Sequence, residues 1–327
     1  MAGQDGLSGQ GGGASGPESP FRGQICPAVV GPTAVGKTSL VTALAAHGPL
    51  EVISLDSRQI YRGLRIGTAQ PTAEELAVCP HHLIDFVDPD EKYSGARFRT
   101  DFARVYQEIR ARGGWPLLVG GAGMYLKALR EGFMDIPGHS QPRLQEARAQ
   151  VARWSPEQLR QKLRQVDPAS EARIHENDLY RAQRAMEIYL ISGRSMTALT
   201  AEHRPTPCLG LAFPAHVLHR PVPELDARIA RRTEAMLAEG WIEETEAALK
   251  KHQPQGPGLG SIGYREIVRH LGGELGREEL VPAIVLATRQ YAKRQRTWFR
   301  HIPESWNHEP EDEGLVGVLR GYWGGES

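Results

Sequence analysis

The stretch that decides the fold of this 327-residue chain reads Gly31-Pro32-Thr33-Ala34-Val35-Gly36-Lys37-Thr38. It fits the pattern G-x-x-x-x-G-K-[ST] at every fixed position. In such a loop the glycines let the backbone wrap a phosphate, so that successive N–H groups and the positive end of the following helix face it. The lysine supplies a mobile cation, and the final hydroxyl can bind Mg²⁺. The stretch therefore predicts a phosphate site.

The segments around this loop alternate between short apolar runs and amphipathic stretches. Ile25 to Val30 predicts a strand, although Pro27 does not suit the middle of one. Thr38 to His47 predicts a helix that ends at Gly48. The further predicted strands are Glu51 to Leu55, His82 to Val87, Pro116 to Gly120 and Cys208 to Phe213. Because strands alternate with helices, we predict an α/β fold with a P-loop NTPase-like parallel sheet flanked by helices.

Residues 138–204 differ from the rest of the chain and predict an all-helical insertion domain. The predicted helices of this domain are Arg143 to Arg153, Pro156 to Arg164 and Asn177 to Ser192. The predicted P-loop catalytic core is then residues 25–137 and 205–320. Its further predicted helices are one capped by Ser94, then Glu224 to Glu239, Glu243 to Lys251 and Val281 to Phe299.

Bulk composition sets only loose limits on function. Lys plus Arg and Asp plus Glu both number 39, so net charge does not indicate a nucleic-acid partner. Three separated cysteines without metal-ligand spacing favour reduced thiols in a cytoplasmic protein. No run of about 18 apolar residues occurs, so we expect no membrane span. Residues 1–24, rich in Gly, Ser and Gln, predict a disordered tail.

The phosphate loop does not by itself specify a reaction. An ordinary ATPase or GTPase needs a second acidic residue after an apolar strand to hold Mg²⁺. The candidate strand, Leu117 to Val119, instead runs into Gly120-Gly121-Ala122-Gly123 without a carboxylate. This disfavours plain nucleotide hydrolysis and leaves small-molecule kinases possible.

Asp56 follows the apolar run Val52 to Leu55, where a predicted strand ends. In an open α/β sheet ligands bind at the carboxyl edge of the strands, which is also the edge of the phosphate loop. A carboxylate there could act as a general base or as a Mg²⁺ partner. Asp-Ser before a helical turn is equally a good N-cap, so both roles stay open.

Taken together, these residues resemble the tRNA dimethylallyltransferases. The resemblance joins the phosphate loop to Ile53 to Gly63 and to Ile66 to Ala69. It continues through His82 to Asp85, Asp88-Pro89, Tyr93-Ser94, Leu117 to Gly121, Asn177-Asp178, Arg181, Arg184, Gly263 to Arg265, Ala287 to Gln290 and Ala292 to Gln295. It spans nearly the whole chain from Val30 to Phe299, and the first blocks together are specific, whereas the loop alone is not.

The resemblance implies transfer of a dimethylallyl group from dimethylallyl diphosphate to N6 of the adenosine 3′-adjacent to the anticodon in tRNA, with release of pyrophosphate. It implies Mg²⁺ as cofactor and tRNA as partner through its anticodon stem-loop. Apart from the resemblance, we expect a cytoplasmic protein that is a monomer by default, without an obligate protein partner or a membrane. The flipped adenine would enter a channel, where Asp56 orients N6 and takes its proton.

The resemblance also implies a set of site residues. The catalytic residues would be Asp56, Lys37 and Thr38, with Thr38 as the metal ligand. The diphosphate-binding residues would be Gly31, Thr33, Ala34, Gly36, Lys37 and Thr38. The tRNA-binding residues would be Asp56, Ser57, Arg58, Gln59, Arg143, Arg181, Arg184, Gly263, Tyr264, Arg265, Arg289, Lys293 and Arg294, so that the helical insertion also contacts tRNA.

Two positions depart from the family pattern. The family usually has Thr where this chain has Ala122, and that hydroxyl is thought to help bind the diphosphate. Gln70 stands where the family usually has Lys, which removes a cation. Both departures bear on the affinity for the donor.

The last predicted helix carries a basic face. No Asp or Glu occurs between Leu280 and Pro303, and four basic residues recur on one helix face: Arg289, Lys293, Arg296 and Arg300. Such a stripe is the expected footprint of phosphate-backbone contacts, and an ordinary solvated face is the alternative. For Arg184 the alternative is an ion pair with Glu187.

Three competing functions remain at this point. A P-loop kinase for a small metabolite shares the loop but does not explain the basic helix. An adenylate-type isopentenyltransferase would prenylate free nucleotides, and the basic helix with the helical insertion favours tRNA instead. A nucleic-acid-binding protein whose loop only senses a nucleotide does not explain Asp56 at the same sheet edge.

Overall fold

A six-stranded parallel sheet forms the centre of the protein. The computed structural model describes residues 25–324, so the predicted tail, residues 1–24, lies outside the described part. The strands are β1 (Ala28–Val30), β2 (Leu50–Leu55), β3 (His81–His82), β4 (Trp115–Gly120), β5 (Ala215–Leu218) and β6 (Ser305–His308). Their order is β3-β2-β4-β1-β5-β6 and every pairing is parallel, which confirms the predicted sheet.

Helices surround the sheet and form a separate block in the middle of the chain. The core helices before the block are α1 (Lys37–Ala45), α2 (Ala73–Val78), α3 (Gly95–Ala111) and α4 (Gly123–Glu131). The block contains α5 (Gln141–Val151), α6 (Pro156–Val166), α7 (Pro168–Arg173), α8 (Leu179–Ser192) and α9 (Met196–Glu202). After it follow α10 (Val222–Ala238), α11 (Trp241–Leu249), α12 (Tyr264–Leu271), α13 (Arg277–Phe299) and α14 (Glu313–Arg320).

Each face of the sheet has its own hydrophobic core. Within β2, Ile53 and Leu55 pack with Phe98 and Phe102 of α3 on one face. Val52, on the other face, belongs to a cluster with residues of α1 and α10. Successive strand side chains point to opposite faces, so a strand buried on both sides is apolar throughout. The sheet is therefore sandwiched between two helical layers, as the alternation of elements predicted.

The helices of residues 141–202 pack on one another. Leu159 and Leu163 of α6 lie in a buried cluster with Ala182, Ala185 and Met186 of α8. A smaller cluster joins α5 to the end of α8. This block therefore has apolar contacts of its own, apart from the two cores of the sheet.

Two predicted strands were wrong. In His82 to Val87 only His82 belongs to a strand, because Leu83 and Asp85 have φ values of 60° and 54° that turn the chain out of the sheet. In Cys208 to Phe213 the residues Cys208–Gly210 form a 3₁₀ turn instead. The strand begins only after Pro214, which has no N–H to give to a ladder.

Several boundaries and short elements also differ from the predictions. The cap of α8 is Asp178 and not Asn177, because the Asp178 carboxylate accepts the Arg181 N–H at 3.1 Å. Helix α13 begins at Arg277 and runs through Pro282, where the prediction began it only at Val281. The sequence analysis did not find α2, α4, α7, α9, α12, α14 or β6. Strand β6 lies at the sheet edge and is polar, so it lacks the apolar signal of a buried strand.

None of the described helices combines the length and the apolar composition that a membrane span requires. The three cysteines, Cys26, Cys79 and Cys208, are free thiols and all are buried. Burial raises the pKa of the Cys79 thiol to about 11, so it stays protonated at neutral pH.

Glu51 provides a test of how charge supports the sheet. Its side chain is 11% exposed and is bonded to Arg112 and, at 2.6 Å, to His82. The Arg112 hydrogen bond holds the pKa of Glu51 below its ordinary value of 4.5, against the opposing effect of burial. A depressed pKa gives stability that is present above the ordinary value and lost as the pH falls through the folded-state value.

We expect Glu51→Gln to lower the free energy of unfolding by about 2 kcal/mol near neutral pH. The difference from the wild type should shrink as the pH falls below 4.5 and through the depressed folded-state pKa, because the wild-type carboxylate then becomes protonated. Urea unfolding at a series of pH values measures both effects. The matched control is Glu108→Gln, which removes a carboxylate from the exposed pair with Arg104 and should change stability little. Equal effects of the two variants would contradict the prediction.

Candidate functional site

The phosphate loop leaves the middle of the sheet, between β1 and α1. Gly31 and Gly36 have φ values of 151° and 117°, which only glycine adopts readily. A Cβ at position 31 would lie 2.7 Å from the Leu218 carbonyl oxygen, so no side chain fits there. The first N–H groups of α1 follow directly after Gly36. The loop therefore has the geometry that wraps an anion.

The loop opens onto a cavity of about 550 Å³, called the donor cavity below. Of the predicted diphosphate-binding residues, the cavity is lined by Thr33, Ala34, Gly36, Lys37 and Thr38. Gly31 is buried behind the loop. The Lys37 Nζ donates to the carbonyl oxygens of Gly31 and Pro32 at 3.1 and 3.0 Å. Burial lowers the pKa of Lys37 to about 8, a shift that Asp56 opposes and Arg232 reinforces.

Three arginines of α10, which the sequence analysis missed, also line the donor cavity: Arg228, Arg231 and Arg232. The Arg228 Nε donates to the Ala34 carbonyl at 2.7 Å, which ties α10 to the phosphate loop. Burial lowers the pKa of Arg232, against the effect of Asp56. Arg231 and Arg232 lie three and four residues after Arg228, so all three share one helix face. This spacing is visible in the sequence and could have indicated an anion-binding face. It was missed because basic residues on an amphipathic helix usually belong to a solvated face.

Asp56 lies at the carboxyl end of β2, as predicted, and its two carboxylate oxygens differ in their contacts. Its Oδ1 accepts the backbone N–H groups of Arg58 at 2.7 Å and Gln59 at 3.3 Å, which is a capping role. Its Oδ2 accepts no hydrogen bond from residues 25–324 of the chain. Asp56 also lines the donor cavity. One oxygen therefore fixes the carboxylate while the other can meet a ligand.

A second cavity of about 290 Å³, called the acceptor cavity below, adjoins the first. Both cavities are lined by Thr33, Ala34, Asp56, Thr68, Arg232 and Tyr291. Four predicted tRNA-binding residues line only the acceptor cavity: Ser57, Arg58, Arg265 and Arg294. The two cavities thus meet at Asp56, with Lys37 and the α10 arginines lining the donor cavity and Arg58, Arg265 and Arg294 lining only the acceptor cavity.

Three more residues predicted to bind tRNA support the walls of these cavities. Gln59 accepts from Ser54 Oγ at 2.9 Å and donates to the Ala69 carbonyl at 2.7 Å. The Tyr264 side chain is fully buried and its hydroxyl bonds to Glu244. Gly263 has a φ of 90°, and a Cβ there would collide with the Trp241 ring. The buried Tyr264 ring therefore holds the segment that carries Arg265, and contact of Tyr264 with tRNA stays a prediction.

The predicted tRNA-binding residues of the helical block lie outside both cavities. The exposed Arg143 approaches the carbonyls of Gly138 and Ile191, each at 3.5 Å. Arg181 pairs with Asp178 at 2.8 Å, and Arg184 pairs with Glu187 at 2.9 Å, as the ion-pair alternative had it. Next to them Tyr180 is 79% exposed, so it is not a core residue.

Helix α13 has two different faces. Arg289 and Lys293 are exposed on its outer side, where Arg289 lies 3.4 Å from Asp226. Arg294 is also exposed, and it lines the acceptor cavity. On the inner side Gln295 is buried and accepts the Thr33 N–H at 2.9 Å. Its Nε2 donates to the Gly121 carbonyl at 3.0 Å. The helix therefore joins a basic surface to the phosphate loop.

The two departures from the family pattern lie beside the donor cavity and not in its lining. Ala122 packs against the hydrophobic core on the α3 side of the sheet. Gln70 donates to the carbonyls of Gln59 at 2.9 Å and Tyr61 at 3.1 Å. Gln70 therefore braces the loop that follows Asp56 without contributing charge to the site.

A Mg²⁺ ion fits the donor set of the donor cavity. Thr38 offers an exposed hydroxyl, and Asp56 and Glu75 are the carboxylates in the lining. Mg²⁺ commonly takes one or two carboxylates together with substrate phosphates and water. Among residues 25–324, the side chains close enough to share an ion in a His and carboxylate group of three are Asp88, Asp90 and His252, which line neither cavity.

The sequence of this chain is similar to those of known proteins. Residues 59–302 match the family described as IPP transferase, and residues 25–85 match the one described as isopentenyl transferase. A tRNA dimethylallyltransferase of Burkholderia multivorans is 44% identical over 282 residues, which cover 84% of this chain and 86% of the relative. One of Ralstonia nicotianae is 43% identical over 286 residues, with 84% and 88% covered.

Solved structures resemble the fold over most of its length. The full-length tRNA isopentenylpyrophosphate transferase of Bacillus halodurans matches with a TM-score of 0.67 and 35% identity, covering 92% of this chain and 97% of that one. A eukaryotic dimethylallyltransferase acting on tRNA matches with a TM-score of 0.76 and 26% identity, covering 91% and 77%.

The depressed pKa of Lys37 predicts how anion binding depends on pH. The ammonium form, which attracts a phosphate, is lost as the pH rises through about 8. We therefore expect the Kd for magnesium pyrophosphate to rise above about pH 8 by up to tenfold per pH unit. Isothermal calorimetry from about pH 7 to about pH 10 measures it. Lys37→Arg keeps its charge over this range, so a step of the same size in that variant would contradict the assignment.

Proposed function

The chain belongs to the IPP transferase family, the tRNA dimethylallyltransferases, and we propose that transfer takes place where its donor and acceptor cavities meet. The reaction moves a dimethylallyl group from dimethylallyl diphosphate to N6 of the adenosine 3′-adjacent to the anticodon, with release of pyrophosphate. The observation that carries the proposal is the position of Asp56, which lines both cavities.

The donor cavity suits the diphosphate. Backbone N–H groups of the phosphate loop, the Lys37 ammonium and the α10 arginines surround the space with positive charge. In a partly buried site such charges act strongly on the leaving oxygen, where negative charge grows as the C–O bond breaks. The loop therefore binds the donor and also stabilises the departing pyrophosphate.

The acceptor cavity suits a flipped base. Its lining combines apolar side chains such as Ile229, Met236 and Ile284 with four arginines: Arg58, Arg232, Arg265 and Arg294. A base taken out of the stack enters such a pocket at a cost of a few kcal/mol. Its N6 then attacks the allylic carbon, and the Asp56 carboxylate accepts the N6 proton. The hydrogen bonds to Oδ1 keep that carboxylate in place.

Mg²⁺ is the cofactor that we propose for this site, held by Thr38 and by diphosphate oxygens, with Asp56 as a further partner. When bound it would neutralise charge on the diphosphate. The exposed cations of α13, with Arg143, Arg181 and Arg184 of the helical block, are proposed to contact the phosphate backbone of tRNA. We also place the protein in the cytoplasm as a monomer, in keeping with its free, buried thiols.

The central experiment incubates the protein with Mg²⁺, labelled dimethylallyl diphosphate and either bulk tRNA or AMP. We expect label in tRNA, whereas label in AMP alone would point to the free-nucleotide alternative. Asp56→Asn should lower kcat by about 10²- to 10⁴-fold, since it keeps the capping oxygen and removes the base. Its affinity for tRNA should stay within about threefold of the wild type. The control is Asp85→Asn, a loop carboxylate that lines neither cavity and accepts the Gly63 N–H.

The basic face of α13 predicts a salt effect. We expect Lys293→Ala to weaken tRNA binding and to reduce the slope of log K against log salt by about 1, because one phosphate contact is lost. Filter binding at several salt concentrations measures the slope. Arg320→Ala removes an exposed cation from α14, a separate helix that packs with α1, and serves as control. If the slope of log K against log salt falls equally in both variants, the phosphate contact is not specific to α13.

A further inference from the structure

Tyr291 occupies a special position in the lining of the two cavities. It is the aromatic residue that both share in the described part of the chain, residues 25–324. It comes from α13, one helical turn before Gln295, which holds the phosphate loop. Asp56 and Arg232 are shared by the same two cavities. The Tyr291 ring therefore lies beside the place where donor and acceptor must meet.

The ring of Tyr291 already receives a cation on its face. The guanidinium carbon of Arg294 lies 5.8 Å from the centre of the ring, within the range of a cation–π contact. Arg294 lines the acceptor cavity and not the donor cavity. Arg294 thus covers the face of the ring that lies on the acceptor side. The ring also lines the donor cavity, where Arg294 does not reach.

The Tyr291 hydroxyl stays protonated at neutral pH. Burial and the nearby Asp56 carboxylate raise the pKa of Tyr291 well above its ordinary value of 10. A neutral phenol keeps the π face that attracts cations. The ring therefore offers electron density at the junction without a formal charge.

The chemistry of the site creates a need for such a group. As the allylic C–O bond breaks, its electron pair goes to the diphosphate oxygen and positive charge spreads over the allyl group. The walls around it carry Lys37, Arg228, Arg231 and Arg232, whose cations favour the leaving group but oppose that positive charge. The Asp56 carboxylate offsets part of this repulsion. The adenine whose N6 forms the new C–N bond is uncharged and offsets none of it.

We propose that the face of Tyr291 opposite Arg294 contacts the dimethylallyl group and stabilises the positive charge that develops on it. The proposal rests on the proposed function, since it assigns a further catalytic residue to the same site. The step needs no additional reactant: the N6 lone pair forms the C–N bond, the C–O pair leaves with pyrophosphate, and the N6 proton passes to Asp56. Tyr291 acts on the transition state, where the charge is largest.

The test compares Tyr291→Leu with Tyr291→Phe in the full chain, using dimethylallyl diphosphate and an anticodon stem-loop RNA. Loss of the ring should lower kcat about 30-fold, the rate equivalent of about 2 kcal/mol for a desolvated cation–π contact. KM for both substrates should stay within about threefold. Tyr291→Phe keeps the ring and should retain at least about a third of the wild-type kcat.

A second series guards against a folding defect in Tyr291→Leu. Phenylalanines with increasing numbers of ring fluorines at position 291 keep the volume of the ring and weaken its attraction for cations. We expect kcat to fall with each added fluorine while pyrophosphate binding stays constant. A flat series overturns the proposal, and so does an effect confined to KM for the RNA, which would mean stacking on the base. If the wild type transfers no label at all, the proposed function fails first.

Discussion

The side-chain amide of Gln295 is the contact on which the geometry of the site depends. It accepts the N–H of Thr33 in the phosphate loop and donates to the carbonyl of Gly121 at the end of β4. A buried amide that satisfies one donor and one acceptor is costly to remove, because both partners would then lack hydrogen bonds. The same helix carries exposed cations on its outer side, so the phosphate loop and this basic surface share one rigid support.

Around this contact the protein concentrates positive charge at a cost to its own stability. Lys37 and Arg232 both have lowered pKa values through burial, with Asp56 as the opposing charge. The carbonyl of Ala34 gives Arg228 a partner. Four cations line the donor cavity against two carboxylates, Asp56 and Glu75, so the cavity has an excess of positive charge. Such an excess suits an anionic ligand such as a diphosphate.

Much of the fold and part of the site could be predicted from sequence because their signals are local. The phosphate loop is contiguous, and the apolar runs of β2 and β4 identify strands that are buried on both faces. The edge strand β6 and the turn at Cys208–Gly210 gave no such signal, since an edge strand need not be apolar and an apolar run need not be extended. Arg228, Arg231 and Arg232 were missed because periodicity places residues on a helix face without saying what that face meets.

The sequence by itself determined the anion-wrapping loop, the alternation that makes a parallel sheet, and the placement of Asp56 at its carboxyl edge. These depend on backbone conformations and burial patterns that neighbouring residues set. Only the tertiary structure decided that Asp56 lies between two cavities, that Tyr291 lines both of them and that Tyr264 is buried. Those facts depend on the packing of α10 and α13 against the phosphate loop and of α12 against Gly67, each more than 190 residues earlier in the chain. Packing between such distant segments decides which face of each helix lines the cavities. The periodicity of the sequence shows that a helix has faces but does not specify what each face contacts.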